Sequence, residues 1–353
     1  MTSSSEADNA MMTMEIRLSL TFSHLSAAIC FIAILINCIL LSTIFRHRST
    51  LVLASDYIMG KVITILSCAS VFHALYMLSL NEMVAAEMST LLNLSNSSNY
   101  SGGPLNSPGI SRGLSSVGYV ILTVIFSSNL LLAIERLSII RYKSALTLRT
   151  IGTVCVMGVT VSTLFVSSFI LANGGVSWMA FPFPVPCNDP DACTIAATSA
   201  PTILFVIGLA YYVLTSVAVC VCYENSYFCV QDLFEKAAGH DVDSRVARNF
   251  AKLQRKVLLR CIALSIGLVL FYIPDIVIVV MAVFAPDSFD GMSNLAMTAM
   301  LCLVTFVPTF DPLWTPILVV LCQEDFKGAL LEDFGWRPTS KDYQPKDVEL
   351  SCM

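Results

Sequence analysis

Charge is what this sequence has least of. Asp, Glu, Lys and Arg make up 13% of its 353 residues and hydrophobic side chains 56%, with a mean hydropathy of +0.75. A soluble globular chain carries about 25% charged residues, and a soluble core of this size has no need of so few. That composition points to a membrane protein instead. A net charge of −5 offers no reason to expect a nucleic-acid surface. Metal-ligand clusters, nucleophile–base pairs and phosphate-cradling loops are also missing from the sequence, which predicts no enzyme, no metal and no cofactor. No internal repeat relates the two halves, which counts against a transporter built from paired units.

What the sequence does have is long apolar runs. Crossing a bilayer core of about 30 Å takes about 20 apolar residues at about 1.5 Å each. Seven such runs stand at about 23–45, 57–80, 114–134, 151–172, 196–222, 257–284 and 292–322. The first follows Glu6, Asp8 and Glu15 and precedes Arg46 and Arg48, the reverse of a signal peptide's charged start. It is expected to stay in the mature chain, its N-terminus outside. Lysine and arginine agree with that orientation. Of the 20 basic residues, only Arg17 and Arg112 fall on the outer side, with Lys61 snorkelling inward. The expected fold is an all-α membrane protein of seven transmembrane helices, spanning the plasma membrane with the C-terminus cytoplasmic.

Residues 1–22 read as a polar, loosely ordered extracellular N-terminus, 23–322 as the membrane domain and 337–353 as a cytoplasmic tail. Between the last two, residues 323–336 place Phe326, Leu330, Leu331 and Phe334 on one helical face. That predicts a short amphipathic eighth helix lying in the cytoplasmic interface. Arg245, Arg248, Lys252 and Arg255 recur at helical spacing, so the sixth helix is expected to extend into the cytosol. Its basic face would meet lipid headgroups or a partner. After the second run, Asn93, Asn96 and Asn99 head three sequons, predicting a glycosylated lumenal loop. Of 13 cysteines, only Cys187 and Cys193 lie on the oxidising side, close together in one loop, and they are the expected disulfide.

Four short motifs fall in these spans. Thr315-Pro316-Ile317-Leu318-Val319, with Phe326 downstream, resembles the seventh-helix Asn-Pro-x-x-Tyr signature of the rhodopsin-like (class A) G protein-coupled receptors. Glu135-Arg136-Leu137 resembles their Glu/Asp-Arg-Tyr motif, Phe271-Tyr272-Ile273-Pro274 their Cys-Trp-x-Pro, and Asn37 their span-one asparagine. The similarity covers most of 23–335. Departures mark a divergent member: there is no cysteine near the start of span three, no aspartate in span two and no tryptophan in span four.

The resemblance implies a receptor that passes an unidentified extracellular small-molecule or peptide ligand's signal to a heterotrimeric G protein, with no retinal. The seventh span, 292–322, contains no lysine for a retinal Schiff base. Glu135 and Arg136 would form the activation switch, with simple membrane anchoring as the plainer role for Arg136. Arg248, Lys252, Thr315, Pro316 and Phe326 would join the coupling face. Gln254 stands where the family has an acidic partner for the arginine, which predicts appreciable basal signalling. Tyr272 is either the toggle aromatic or a core tyrosine, and Pro274, Pro312 and Pro316 are hinges or static kinks. Gly118 occupies the amine-receptor aspartate's position, and Asp275 and neighbouring Tyr119 are the ligand-binding candidates. Asp275 would bind a cationic or hydrogen-bonding ligand group, or brace a helix kink. Asp311 is the ion-pocket candidate, or else hydrogen-bonds to span one. Other readings are an ion-coupled transporter or channel, with Asp275 and Asp311 as its ion path, and a receptor-like protein that no longer signals.

Overall fold

The computed structural model describes residues 2–49, 59–94, 107–142, 144, 146–172, 176–177, 184–187, 198–238, 244–289, 291–322 and 324–336. Its helices in chain order are α1 (Thr2–Arg46), α2 (Met59–Leu94), α3 (Pro108–Leu137), α4 (Leu148–Leu171), α5 (Ala200–Ala238) and α6 (Ser244–Phe284). They continue as α7 (Asn294–Phe306), α8 (Asp311–Cys322) and α9 (Glu324–Asp333). Seven segments are long and apolar enough to cross a membrane, the seventh being Leu295–Leu318, which runs through α7 and α8. The protein is a multi-pass membrane protein, with seven spans and a further short helix, α9, among the described residues.

Local sequence explains where these elements begin and break. No glycine or proline occurs before Gly60, so nothing interrupts α1, and the segment expected to be loosely ordered, 1–22, is helical from Thr2. The expected boundary at residue 22 falls inside a continuous helix. In the same way α2 runs on to Leu94 through good helix formers, placing Asn93 in its last turn rather than in a loop. Asn96 and Asn99 lie outside the described residues. Pro108 opens α3, where its missing N–H costs nothing. Thr147 caps α4 by accepting from the Thr150 N–H at 3.2 Å, and Ser293 caps α7 by accepting from the Ala296 N–H at 3.3 Å. As the basic spacing predicts, α6 begins far ahead of its apolar run, at Ser244.

The seventh span is broken at its middle. Between α7 and α8 lies a 3-10 turn, Val307–Phe310. In an α-helix the residue-312 amide would donate to the Pro308 carbonyl, but Pro312 has no N–H. The Asp311 N–H donates to that carbonyl instead, which tightens the turn. Pro274 and Pro316, by contrast, sit within continuous helices.

Inside the bundle, one core cluster joins α3, α4, α5 and α6 around Tyr119, Phe126, Phe165, Phe205, Tyr212 and Tyr272. A small antiparallel hairpin, β1 (Val176–Ser177) and β2 (Val185–Pro186), covers this end, with Val176 opposite Pro186. Val185 is part of the cluster and fully buried. A second cluster at the opposite end packs Leu40, Ile44, Leu66, Leu131 and Tyr223 with Phe326 and Ala329 of α9. Large apolar side chains elsewhere on the spans point outward, among them Phe31, Phe72, Val159 and Leu214, each more than half exposed. Helices apolar on both their inner and outer faces suit a bilayer and not water.

Candidate functional site

The interior beneath the hairpin is built from rings carried by different helices. Tyr119 on α3 stacks on Phe165 of α4 at 4.2 Å and meets Phe205 of α5 edge-on at 5.4 Å. Phe126, two turns along α3, stacks on Tyr212 of α5 at 4.5 Å and lies 5.3 Å from Tyr272 of α6. Offset and edge-on pairs of this kind add directional preference to plain burial.

Each buried hydroxyl needs a partner, and these partners tie helices together. Tyr212 donates to the Tyr119 carbonyl at 2.9 Å and shares a bond with Thr123 at 3.0 Å. Tyr211 and Ser127 are 2.7 Å apart. Tyr119 donates to the Pro184 carbonyl at 3.1 Å, fastening the hairpin strand, buried from Pro184 to Cys187, onto α3. Tyr272 donates to Asp311 Oδ2 at 2.8 Å. Asp311 thus bonds to α6 and not to span one as the structural alternative proposed. Span one reaches α8 by another route: Asn37 donates through Nδ2 to the carbonyls of Ala33 and Pro312, at 2.9 and 2.7 Å.

Close approach is set by glycine at several positions, Gly118 and Gly267 among them. A Cβ on Gly118 would lie 2.5 Å from the Tyr76 hydroxyl oxygen, so α2 fills the space that a side chain at position 118 would need. On the far side of the bundle, Trp314 lies over Gly267 and donates to the Ala263 carbonyl at 3.1 Å. No role for Trp314, His73 or Tyr76 followed from the sequence, although Trp314 stands inside the quoted seventh-span motif.

Asp275 is fully buried, one turn beyond Tyr272 and beside Pro274, whose own side faces outward. It lies within electrostatic reach of Tyr119 and Tyr272. Neither of its oxygens has a hydrogen-bond partner among the described residues, and the same holds for both ring nitrogens of buried His73 on α2. The His73 ring lies 6.3 Å from that of Tyr272. Tyr119, Tyr272, Asp275 and Asp311 therefore share one interior cluster.

Glu135 and Arg136 lie at the other end of α3, about 24 Å from Tyr119 at 1.5 Å per residue. Glu135 is only 1% exposed, and Arg136 is half-buried. Directly after them α3 widens into a π-helical turn, Ser138–Tyr142, where the Arg141 guanidinium lies over the Tyr142 ring at 5.5 Å. Thr315 and Pro316 are buried in α8. Arg248 and Lys252 lie on the first turns of α6, where side chains fall outside the described residues. Cys187 is buried and disulfide-bonded, and Cys193, its expected partner, lies outside the described residues.

The α9 helix docks on the bundle by one end of its apolar face. Of the apolar face read from the sequence, Phe326 is 2% exposed and packs inside the bundle, whereas Phe334 is 64% exposed. Asp333 explains the docking. It accepts from Thr43 at 2.8 Å, Arg46 at 2.7 Å and His47 at 3.3 Å, all at the end of α1. Burial opposes ionisation of this carboxyl. The three hydrogen bonds and the Arg46 charge outweigh that and hold it below the usual carboxylate range.

The arrangement matches a known architecture. The crystal structure of squid rhodopsin aligns with a TM-score of 0.63 at 13% identity, over 94% of this chain and 89% of that one. No family model and no curated protein sequence matches the chain. Identity so low speaks for the fold alone. With seven spans, a short eighth helix and this superposition, the chain has the fold of the rhodopsin-like G protein-coupled receptors.

Proposed function

We propose that the protein is a plasma-membrane receptor that couples an extracellular signal to a heterotrimeric G protein. The observation that carries this reading is Glu135-Arg136 at the terminal turn of α3, in a chain of rhodopsin-like fold. Basic residues gather at the same end, with Arg46, Arg136, Arg141, Arg149 and Lys327 on its helices, which supports a cytoplasmic placement. A charge pair there holds a closed state whose release frees the arginine for a G protein.

In this reading the hairpin end faces outward, and its loop carries a Cys187–Cys193 bridge. The sequons at Asn93, Asn96 and Asn99 face the same side. The cluster of Tyr119, Tyr272 and Asp275 receives the signal, and the broken seventh span with Asp311, Thr315 and Pro316 passes it on. Phe326, Arg248 and Lys252 belong to the coupling face. No catalytic step is invoked, and with no lysine in 292–322 the receptor carries no retinal.

The test is G-protein dissociation in cells expressing the wild type or Arg136→Ala, across a panel of Gα subunits. A basal signal above mock-transfected cells that falls with the substitution is the expected result. Equal signals from the two proteins, both present at the surface, would remove Arg136 from the mechanism.

A further inference from the structure

Among the described buried residues stand three carboxyls, Glu135, Asp275 and Asp311, and no lysine or arginine. Asp311 has Tyr272 as a donor. Asp275 has none, and its surroundings explain why. The two hydroxyls within its electrostatic reach belong to Tyr119 and Tyr272. Each has one proton, given to the Pro184 carbonyl and to Asp311 respectively. An ionised carboxylate left without donor or counter-ion in a protein interior is strongly disfavoured, so Asp275 calls for a positive charge that none of the described buried residues supplies.

The same cluster limits what can supply it. Asp275, His73 and Tyr119 are each fully buried. The hairpin strand from Pro184 to Cys187 is buried against this end, and the Tyr76 hydroxyl fills the space next to Gly118. A site that demands positive charge but is packed with rings suits the one cation that needs no volume. Resting on the receptor reading above, we infer that the ligand of this site is the proton, bound by Asp275 in the packed state of the bundle.

The groups facing Asp275 are of limited kind. Tyr119 of α3 and Tyr272 of its own helix lie within its electrostatic reach, and Tyr272 in turn borders His73 of α2 and Asp311 of α8. The one titratable side chain of α7, Cys302, lies against Ser19 of α1. Protonated, Asp275 is neutral and lets α6 pack against α3. Losing the proton leaves a bare carboxylate in that contact, which drives α6 toward the open arrangement. The resting state is thus the acid one, and signalling rises with external pH.

The experiment compares wild type with Asp275→Asn, which keeps the neutral shape, and with the smaller neutral Asp275→Ser. Basal G-protein dissociation from the wild type should rise as external pH is raised, by up to about tenfold per unit for one proton. Both variants should give a flat, low profile, and His73→Gln should keep the slope. A slope that survives in the Asp275 variants or vanishes in His73→Gln would overturn the assignment. A wild-type signal above mock-transfected cells that does not change with pH would overturn it equally.

Thermal unfolding of the purified proteins separates this from the coupling reading. The folded wild type holds a proton that the unfolded chain releases, so its melting temperature, relative to Asp275→Asn, should fall as pH rises. That difference without any G-protein signal would keep the proton site and remove the coupling. A difference independent of pH would remove the proton site whatever the signal.

Discussion

Tyr272 donates its single hydroxyl proton to Asp311, while its ring packs between Phe126 and His73. Ring and hydroxyl can therefore be tested apart. Tyr272→Phe keeps the ring and leaves a buried carboxyl without its donor, which costs about 1–3 kcal/mol and should show as a lower melting temperature in nanodiscs. Tyr272→Phe with Asp311→Asn should recover part of that loss, because the unmatched acid is gone. No recovery would mean that the bond contributes little. Gly118 makes a second case. Gly118→Ala drives a methyl into the Tyr76 hydroxyl and should cost about 1–3 kcal/mol by overpacking. Adding Tyr76→Leu should relieve that cost in the same thermal assay. Neither contact was legible in the sequence. Gly118 could be seen as a missing aspartate, but only the packing of α2 against α3 reveals that a tyrosine takes its space.

At the scale of elements, the seven spans and the eighth helix were legible because hydropathy and charge are one-dimensional signals. Twenty apolar residues followed by arginine mean the same wherever the chain later packs. What depends on a partner was not. Phe326 and Phe334 share an apolar face by spacing, yet one enters the bundle and the other faces out, because Asp333 is held by Thr43, Arg46 and His47 on α1. This docking has a pH dependence of fixed sign. The Asp333 carboxyl is held below its usual range, so its contribution is present at neutral pH and is lost as pH falls through and below the ordinary aspartate range. Hydrogen exchange of the α9 amides, corrected for intrinsic rates, should quicken on such acidification in the wild type. In Asp333→Asn it should already be fast at neutral pH. Protection unchanged by the substitution would show that Phe326 and Ala329 alone hold the helix. The seventh-span break had a visible cause in Pro308 and Pro312, but two prolines alone do not say which carbonyl takes a new donor.

The two ends of the bundle are built from different chemistry. At the hairpin end, aromatic rings and their hydroxyls knit α3, α4, α5 and α6 around a carboxyl with no hydrogen-bond partner among the described residues. At the other end stand Glu135, Arg136 and the docked α9. Between them run α6, with Pro274, and the broken seventh span, joined by Tyr272–Asp311 and by Trp314 over Gly267. A change at Asp275 has a short path along α6 to the far end, which is how a receptor of this fold would link its two faces. In the receptor reading this far end acts on a G protein through Arg136. The most direct test of that reading is nucleotide exchange on purified heterotrimers by receptor reconstituted in nanodiscs, wild type against Arg136→Ala, with matched melting temperatures to show that both are folded. Exchange by the wild type that drops at least about tenfold in the variant is the predicted result. Equal exchange from two folded proteins would contradict it.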